Sequence, residues 1–382
     1  MHLSFQKLFF AIASVVSLFA ILFLAQSILI PLSFAFLLSL ILYPIVKKLE
    51  SWGLNKILAA FTSIFVVLLS IGGSIFLFST QLIKITKEFS NFQGKIFHVF
   101  AEATLYINDN FNFVPNLKKN ELIDLLKDWV SQSSGSLVRE TFSSTATFLA
   151  GMLATIIFTF LILIYRKGLL TAFSGFYPKD KQEHALTMFK SVKHVGQKYL
   201  FGMIILIMVI GVANSLGLLI IGIDNPFLFG FLGAILAIIP YVGTVSGAII
   251  PTLYAFISYN SVWMPVEIAI LFWAVQLISD NFLSPKIVGG SININALTAI
   301  ISLIIGAAVW GIAGMILFLP FAAMLMVVCE SYKELKPIAL LIGNKNYQDT
   351  DNSNTFNQKW LKKVKTWYAQ FHFRSTKKGR KQ

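Results

Sequence analysis

Three stretches of this chain run for roughly forty residues without one charged side chain: 8–46, 225–266 and 287–329. A helix rises about 1.5 Å per residue and the hydrocarbon core of a bilayer is about 30 Å thick, so about 20 apolar residues suffice to cross it. Each run is therefore long enough to cross a membrane, and no soluble fold of this size has enough interior to hide all three. Composition agrees: 56% of the 382 residues are hydrophobic and only 13% charged, against about 25% charged in ordinary globular domains. These values exclude a soluble enzyme, a disordered chain and a disulfide scaffold. The single cysteine, Cys329, allows neither an intrachain disulfide nor a cysteine-based metal site. The fold class is all-α, a polytopic integral membrane protein.

About eight transmembrane helices are expected. The first run holds two, over 8–24 and 28–46, divided near Gln26 and Ser27. Phe23, two residues before Ala25, spoils a small-x-small cleavage site, so the first is read as a retained helix rather than a signal peptide. Further spans cover 57–79, 145–165, 199–223 and 265–283. The runs 225–266 and 287–329 are each too long for one span and short for two, and carry Pro240 and Pro251 or Gly306, Gly311, Gly314 and Pro320. Spans over 227–257 and 295–328 are expected there, kinked or partly re-entrant, because irregular backbone at membrane depth persists only where protein or a polar cavity surrounds it.

The expected organisation is a first transmembrane unit over 1–79, a soluble extracytoplasmic helical insertion over 80–140, a fourth span over 141–165, a basic cytoplasmic segment over 166–198, a transmembrane core of four spans over 199–329 and a basic cytoplasmic tail over 330–382. The insertion balances seven Lys/Arg against seven Asp/Glu. Within it Leu122, Leu125, Leu126 and Trp129 repeat at helical spacing, and 108–116 reads as a loop. Lys and Arg gather in the segments that both termini share, 23 of 31, with the insertion and Lys286 assigned to the other side. This bias sets orientation: both termini are expected in the cytoplasm. The net charge of +14 is thus a matter of topology, and nucleic acid is not an expected partner. The last 24 residues hold nine Lys/Arg and no acid, with Trp360, Val364, Trp367 and Phe371 on one helical face. Such a tail fits anionic lipid headgroups or a disordered basic end equally well.

Catalytic motifs are missing. There is no G-x-x-x-x-G-K-[ST], H-E-x-x-H or G-x-S-x-G, and all five histidines lie outside the expected spans. No enzyme activity, cofactor or metal is expected, and no ATP site. Ionisable groups within spans mark function by default. Only Glu267 and Asp280 qualify, with Asp224 and Lys286 at edges; thirteen residues separate the two carboxylates by about 20 Å along a helix, near opposite interfaces, where wet helix ends explain them as well as a function does. Gln276, Ser279, Asn214, Ser215, Asn293 and Asn295 are polar groups that either bond neighbouring helices or line a pathway. Gly243-x-x-x-Gly247 and Ala313-Gly314 permit close helix approach, and small-residue faces suggest a homo-oligomer. The two Gly-then-Pro series, Gly243, Gly247, Pro251 and Gly311, Gly314, Pro320, do not superpose as a repeat.

Three sequence blocks carry a resemblance: I-P-Y-V-G-T-V-S-G-A-I-I-P over 239–251, Q-L-I-S-D-N-F-L-S-P-K-I-V-G-G-S-I-N-I-N-A-L over 276–297, and G-A-A-V-W-G-I-A-G-M-I-L-F-L-P over 306–320. Together they resemble the autoinducer-2 exporter-like family of PerM-type permeases, which also has eight spans and a soluble region after the third. Pro240 and Gly243 match its P-x-x-G, continued by Gly247 and Pro251. Asn281, Pro285 and Gly289 match N-x-x-x-P-x-x-x-G, and Gly311, Gly314 and Pro320 match the closing G-x-x-G-x-x-x-x-x-P, expected to act as a hinge. Many members carry an acid where this chain has Ser279, with the carboxylate here at Asp280, turned by about 100° on a helix. The resemblance implies ATP-independent export of a small polar solute or signalling molecule across a bacterial inner membrane. A sodium(lithium)/proton antiporter, with a coupling cation, and a scaffold whose insertion binds an outside partner are the alternatives. The expected pathway is Pro240, Gly243, Gly247, Pro251, Gln276, Ser279, Asp280, Asn281, Pro285 and Gly289.

Overall fold

A computed structural model describes residues 5–90, 119–239, 242–259, 261, 263–288 and 294–344. Pro240, Gly289, Asn293, the loop at 108–116 and the aromatic face of the basic tail lie outside the described residues. Among those described, the chain is helical, apart from one isolated backbone bridge between Ile294 and Gly343. The helices are α1 (Phe5–Leu24), α2 (Gln26–Ser51), α3 (Lys56–Ser90), α4 (Lys119–Gly175), α5 (Gln182–Ile221), α6 (Pro226–Leu236), α7 (Val242–Ser258), α8 (Trp263–Ile278), α9 (Ser284–Ile287), α10 (Ala296–Ser331) and α11 (Lys336–Ile342). Six stretches of these helices are long and apolar enough to cross a membrane, with shorter apolar helices beside them. Large apolar side chains such as Phe61, Phe65, Phe148 and Ile270 stand exposed on them. On a polytopic membrane protein this is the surface that meets lipid.

The backbone redraws one expectation and narrows another. The division near Gln26 is a bend, not a reversal: Ala25 alone departs from helical geometry (φ −96, ψ 16), and Ala25 N–H still donates to Ile21 and Leu29 N–H to Ala25. A chain cannot turn back on itself through one such residue, so α1 is not an antiparallel partner of α2. The second concerns 227–257. It is two helices, 11 and 17 residues long, and its ends return to the same place: Tyr259 donates to Asp224 Oδ2 at 2.7 Å and accepts from Asp224 N–H at 2.8 Å. This segment enters and leaves on one side.

That return reverses the direction of α8. Ile268 and Phe272 pack with Leu218 near the end of α5, while Ile287 reaches Gly202, sixteen residues before Leu218 on α5. Lys286 thus lies at the same end of the bundle as Lys47 and Lys48, not opposite them, because Ile287 and both lysines line one cleft. Glu267 lies towards the other end, with Asp224 and Tyr259.

The 36-residue α10 is also a reversal. Trp310 (φ −130, ψ 17) and Gly311 (φ 58, ψ −136) leave helical geometry. Gly306 and Gly314, which would stand about 12 Å apart on a straight helix, lie backbone against backbone. Its start is tied to the chain's C-terminal side: Asn295 N–H donates to Ile342 and its Nδ2 to Leu341. Its tip is tied to α1, where Trp310 Nε1 donates to the Leu22 carbonyl at 2.9 Å.

Candidate functional site

Each of the long uncharged runs of the second half is a helical hairpin, and the two enter from opposite ends of α5. The α6–α7 hairpin starts and ends beside Ile221, held by Asp224 and Tyr259. The α10 hairpin ends beside the start of α5, where His184 Nε2 lies 2.9 Å from the Ser331 carbonyl and its ring meets Tyr332 edge-on. The two share a core cluster in which Ala234, from the first hairpin, and Leu319, from the second limb of the other, join Tyr199, Leu206, Ile210 and Val288.

Glycines make both hairpins. A Cβ on Gly247 would sit 2.9 Å from Gly233 Cα, closer than real side chains come, so α6 and α7 touch backbone to backbone. Gly243 is closed in the same way by the Leu236 carbonyl, and Gly314 by that of Gly306. Pro251 and Pro320 are fully buried on the returning limbs. The close approach expected of Gly243 and Gly247 is therefore used against their own hairpin, and Gly233, its other half, was not legible as a site residue. Gly311 makes the tip because φ of 58 with extended ψ is a region open essentially to glycine.

The span expected over 265–283, the seventh in chain order and called span seven, ends in a π-helical turn, Ser279–Leu283. The cause is local. Pro285 has no N–H to offer the Asn281 carbonyl, and Asn281 Nδ2 donates to the Leu277 carbonyl at 2.8 Å, so the ladder widens. Ser279 is turned inward, 1% exposed, whereas Asp280, Asn281 and Pro285 are exposed. Half-buried Gln276 donates to Asp280 Oδ1 at 2.8 Å. The structure therefore separates the expected pathway residues: Gly243, Gly247, Pro251 and Ser279 lie inside the bundle, and the Gln276–Asp280 pair lies on its surface.

Other buried polar groups accompany Ser279. Ser215 Oγ donates to the Gly211 carbonyl and presses on Gly230. Asn214 beside it is 3% exposed, and its Oδ1 has no hydrogen-bond partner. Ser302 is buried on the first limb of α10. Among the described residues no group of three or more His, Cys, Asp or Glu converges as a metal site.

A helical membrane protein with hairpins inserted from opposite ends has the build of a transport protein. The AI-2E family transporter pattern matches residues 9–334, and the chain belongs to that family. Relatives are distant. Among those named "Putative transport protein" are sll0063 of Synechocystis sp., 24% identical over 51% of this chain and 48% of its own length, and YrrI of Bacillus subtilis, 23% identical over 81% of this chain and 88% of its own. The AI-2 transport protein TqsA of Escherichia coli is 21% identical over 84% of this chain and 91% of its own. The chain thus spans about half of the first and nearly all of the other two.

Proposed function

We propose that this chain exports a small polar solute across the bacterial cytoplasmic membrane without ATP hydrolysis, along the seam between α5 and the two opposed hairpins. The observation that carries the reading is the pairing of hairpins from opposite ends, since interrupted helices that meet near the middle of a membrane are where secondary transporters bind their cargo. A buried amide oxygen without a donor costs free energy in an apolar medium, and Asn214 Oδ1 gains a partner when a hydroxyl-bearing solute lies in the seam. Ser215, Ser279 and Ser302 supply further small polar groups. The Gln276–Asp280 pair stands at the end of span seven near Lys286 and serves as the solute's entry point. Signalling molecules are among the fitting solutes, in line with the name of the Escherichia coli relative, AI-2 transport protein TqsA. The end of the bundle with Lys47, Lys48 and Lys286 faces the cytoplasm, with α11 on the same side. The reversal of α8 strengthens that orientation, because Lys286 now joins the basic side.

The test compares small molecules inside and outside cells that lack or overproduce the chain. One or a few polar solutes should leave the cells faster on overproduction and accumulate inside without the chain. Identical profiles in both strains overturn the proposal.

A further inference from the structure

A cleft of about 790 Å³ opens between the end of α2 and the middle of α5, with Ile287 as its third side. Its walls divide by chemistry. Lys47 and Lys48 come from α2, and His194 and Lys198 from α5; among the described residues no carboxylate lines it. The acid close by on α2, Glu50, is bound by Arg166 from α4. Further along the same face of α5, the lining turns apolar, with Phe201 and Ile205, both exposed. His194, Lys198, Phe201 and Ile205 follow at intervals of four, three and four residues, a single helical stripe about 17 Å long. It runs from the basic segment into the membrane span.

We propose that this cleft binds one anionic phospholipid, phosphate against Lys47, Lys48 and Lys198, and acyl chain along Phe201, Ile205 and Ile287. Three features commit it to a lipid rather than a soluble anion. The charges sit where span residues give way to the basic segment, the level of headgroups. The apolar part of the stripe points into the hydrocarbon, where a free phosphate has nothing to contact. Basic pockets between membrane helices on the cytoplasmic side suit anionic headgroups in both charge and depth. A bound lipid bridges α2, α5 and α9, so it ties the frame helices to the short helix that follows the turn carrying Asp280.

The experiment uses the full chain purified in a neutral detergent, with lipids that remain bound counted by native mass spectrometry. The probes are phosphatidylglycerol, phosphatidylcholine of the same acyl chains, and glycerol 3-phosphate. The parent should retain phosphatidylglycerol at least tenfold over phosphatidylcholine, less so at high salt. Lys47→Gln with Lys48→Gln and Lys198→Gln should abolish the preference, while the three arginine substitutions keep it. Phe201→Ser with Ile205→Ser should weaken retention at unchanged charge. Equal retention of the two lipids by the parent overturns the proposal whatever the variants do. A glutamine triple variant that binds like the parent also overturns it, as does displacement of the lipid by equimolar glycerol 3-phosphate, which would mark a soluble-anion site.

Discussion

Gly306 and Gly314 are eight residues apart in sequence and in backbone contact in space, which makes α10 a hairpin with Gly311 at its tip. Any side chain at either glycine must push the limbs apart. Gly314→Val should destabilise the purified protein by about 1–3 kcal/mol, the usual cost of overpacking. Gly311→Ala should cost a similar amount for another reason, since nothing crowds Gly311 but its backbone geometry is closed to alanine. Thermal unfolding in detergent reads both; parent-like midpoints would mean that α10 runs straight.

The return of the α6–α7 hairpin to Asp224 is testable by cross-linking. With Cys329→Ser as background, cysteines at Asp224 and Tyr259 should join through a short bifunctional reagent, because the native side chains are in hydrogen-bond contact. A pair at Asp224 and Lys286 should not, since these lie at opposite ends of α8. Were 227–257 a single crossing, the first pair would be a membrane's thickness apart and would fail.

The proposed orientation has its own test. Cysteines at Gln182 and at Lys286 should both resist an impermeant reagent in intact cells, and one at Ser261 should react. Labelling at Lys286 with protection at Ser261 would restore the single-crossing topology and reverse the direction of span seven.

The sequence made helices and their unevenness legible, and left their directions hidden. Uncharged stretches mark what must sit in lipid, and the excess length of 225–266 and 287–329, with their prolines and glycines, marked both as irregular. Whether such a stretch crosses or returns depends on contacts such as Gly233 with Gly247 and Asp224 with Tyr259, which join residues 14 and 35 positions apart and leave no periodic trace. An error of one crossing then moved Lys286 to the wrong side. The bend at Ala25 was hidden likewise: a polar Gln-Ser step reads the same for a loop and for a bend whose freed Leu22 carbonyl is taken by Trp310. Of the expected pathway, Gly243 and Gly247 do come into close backbone approach, but sequence spacing could not say that their own hairpin fills the space.

Trp310 fastens the tip of α10 to α1 by one hydrogen bond, and its ring meets Phe318 edge-on at 5.5 Å. Trp310→Phe keeps an aromatic ring there and removes the donor, leaving the Leu22 carbonyl unpaired. The loss should be about 1 kcal/mol of stability, with faster amide exchange around Ala25. Exchange unchanged at that bend would show that α1 is held by apolar packing alone.

The Gln276–Asp280 pair carries the last prediction. Asp280→Asn keeps size and an acceptor oxygen but removes charge, and Gln276→Leu removes the donor that now holds the carboxylate at 2.8 Å. If the pair admits the solute, each change should lower export at least tenfold at normal expression and membrane insertion. Asn214→Leu should do the same from inside the seam, where it also removes an unpaired oxygen and so should leave stability unchanged or raised. That combination separates a solute-binding asparagine from a structural one. Glu267→Gln, at the far end of α8 and exposed, should export within about twofold of the parent. Export is measured as loss of the solute found in the cellular comparison, from preloaded inverted or right-side-out vesicles. If Asp280→Asn and Gln276→Leu export normally while Asn214→Leu fails, the seam stands and the entry point is elsewhere; if Asn214→Leu also exports normally, the pathway does not follow α5.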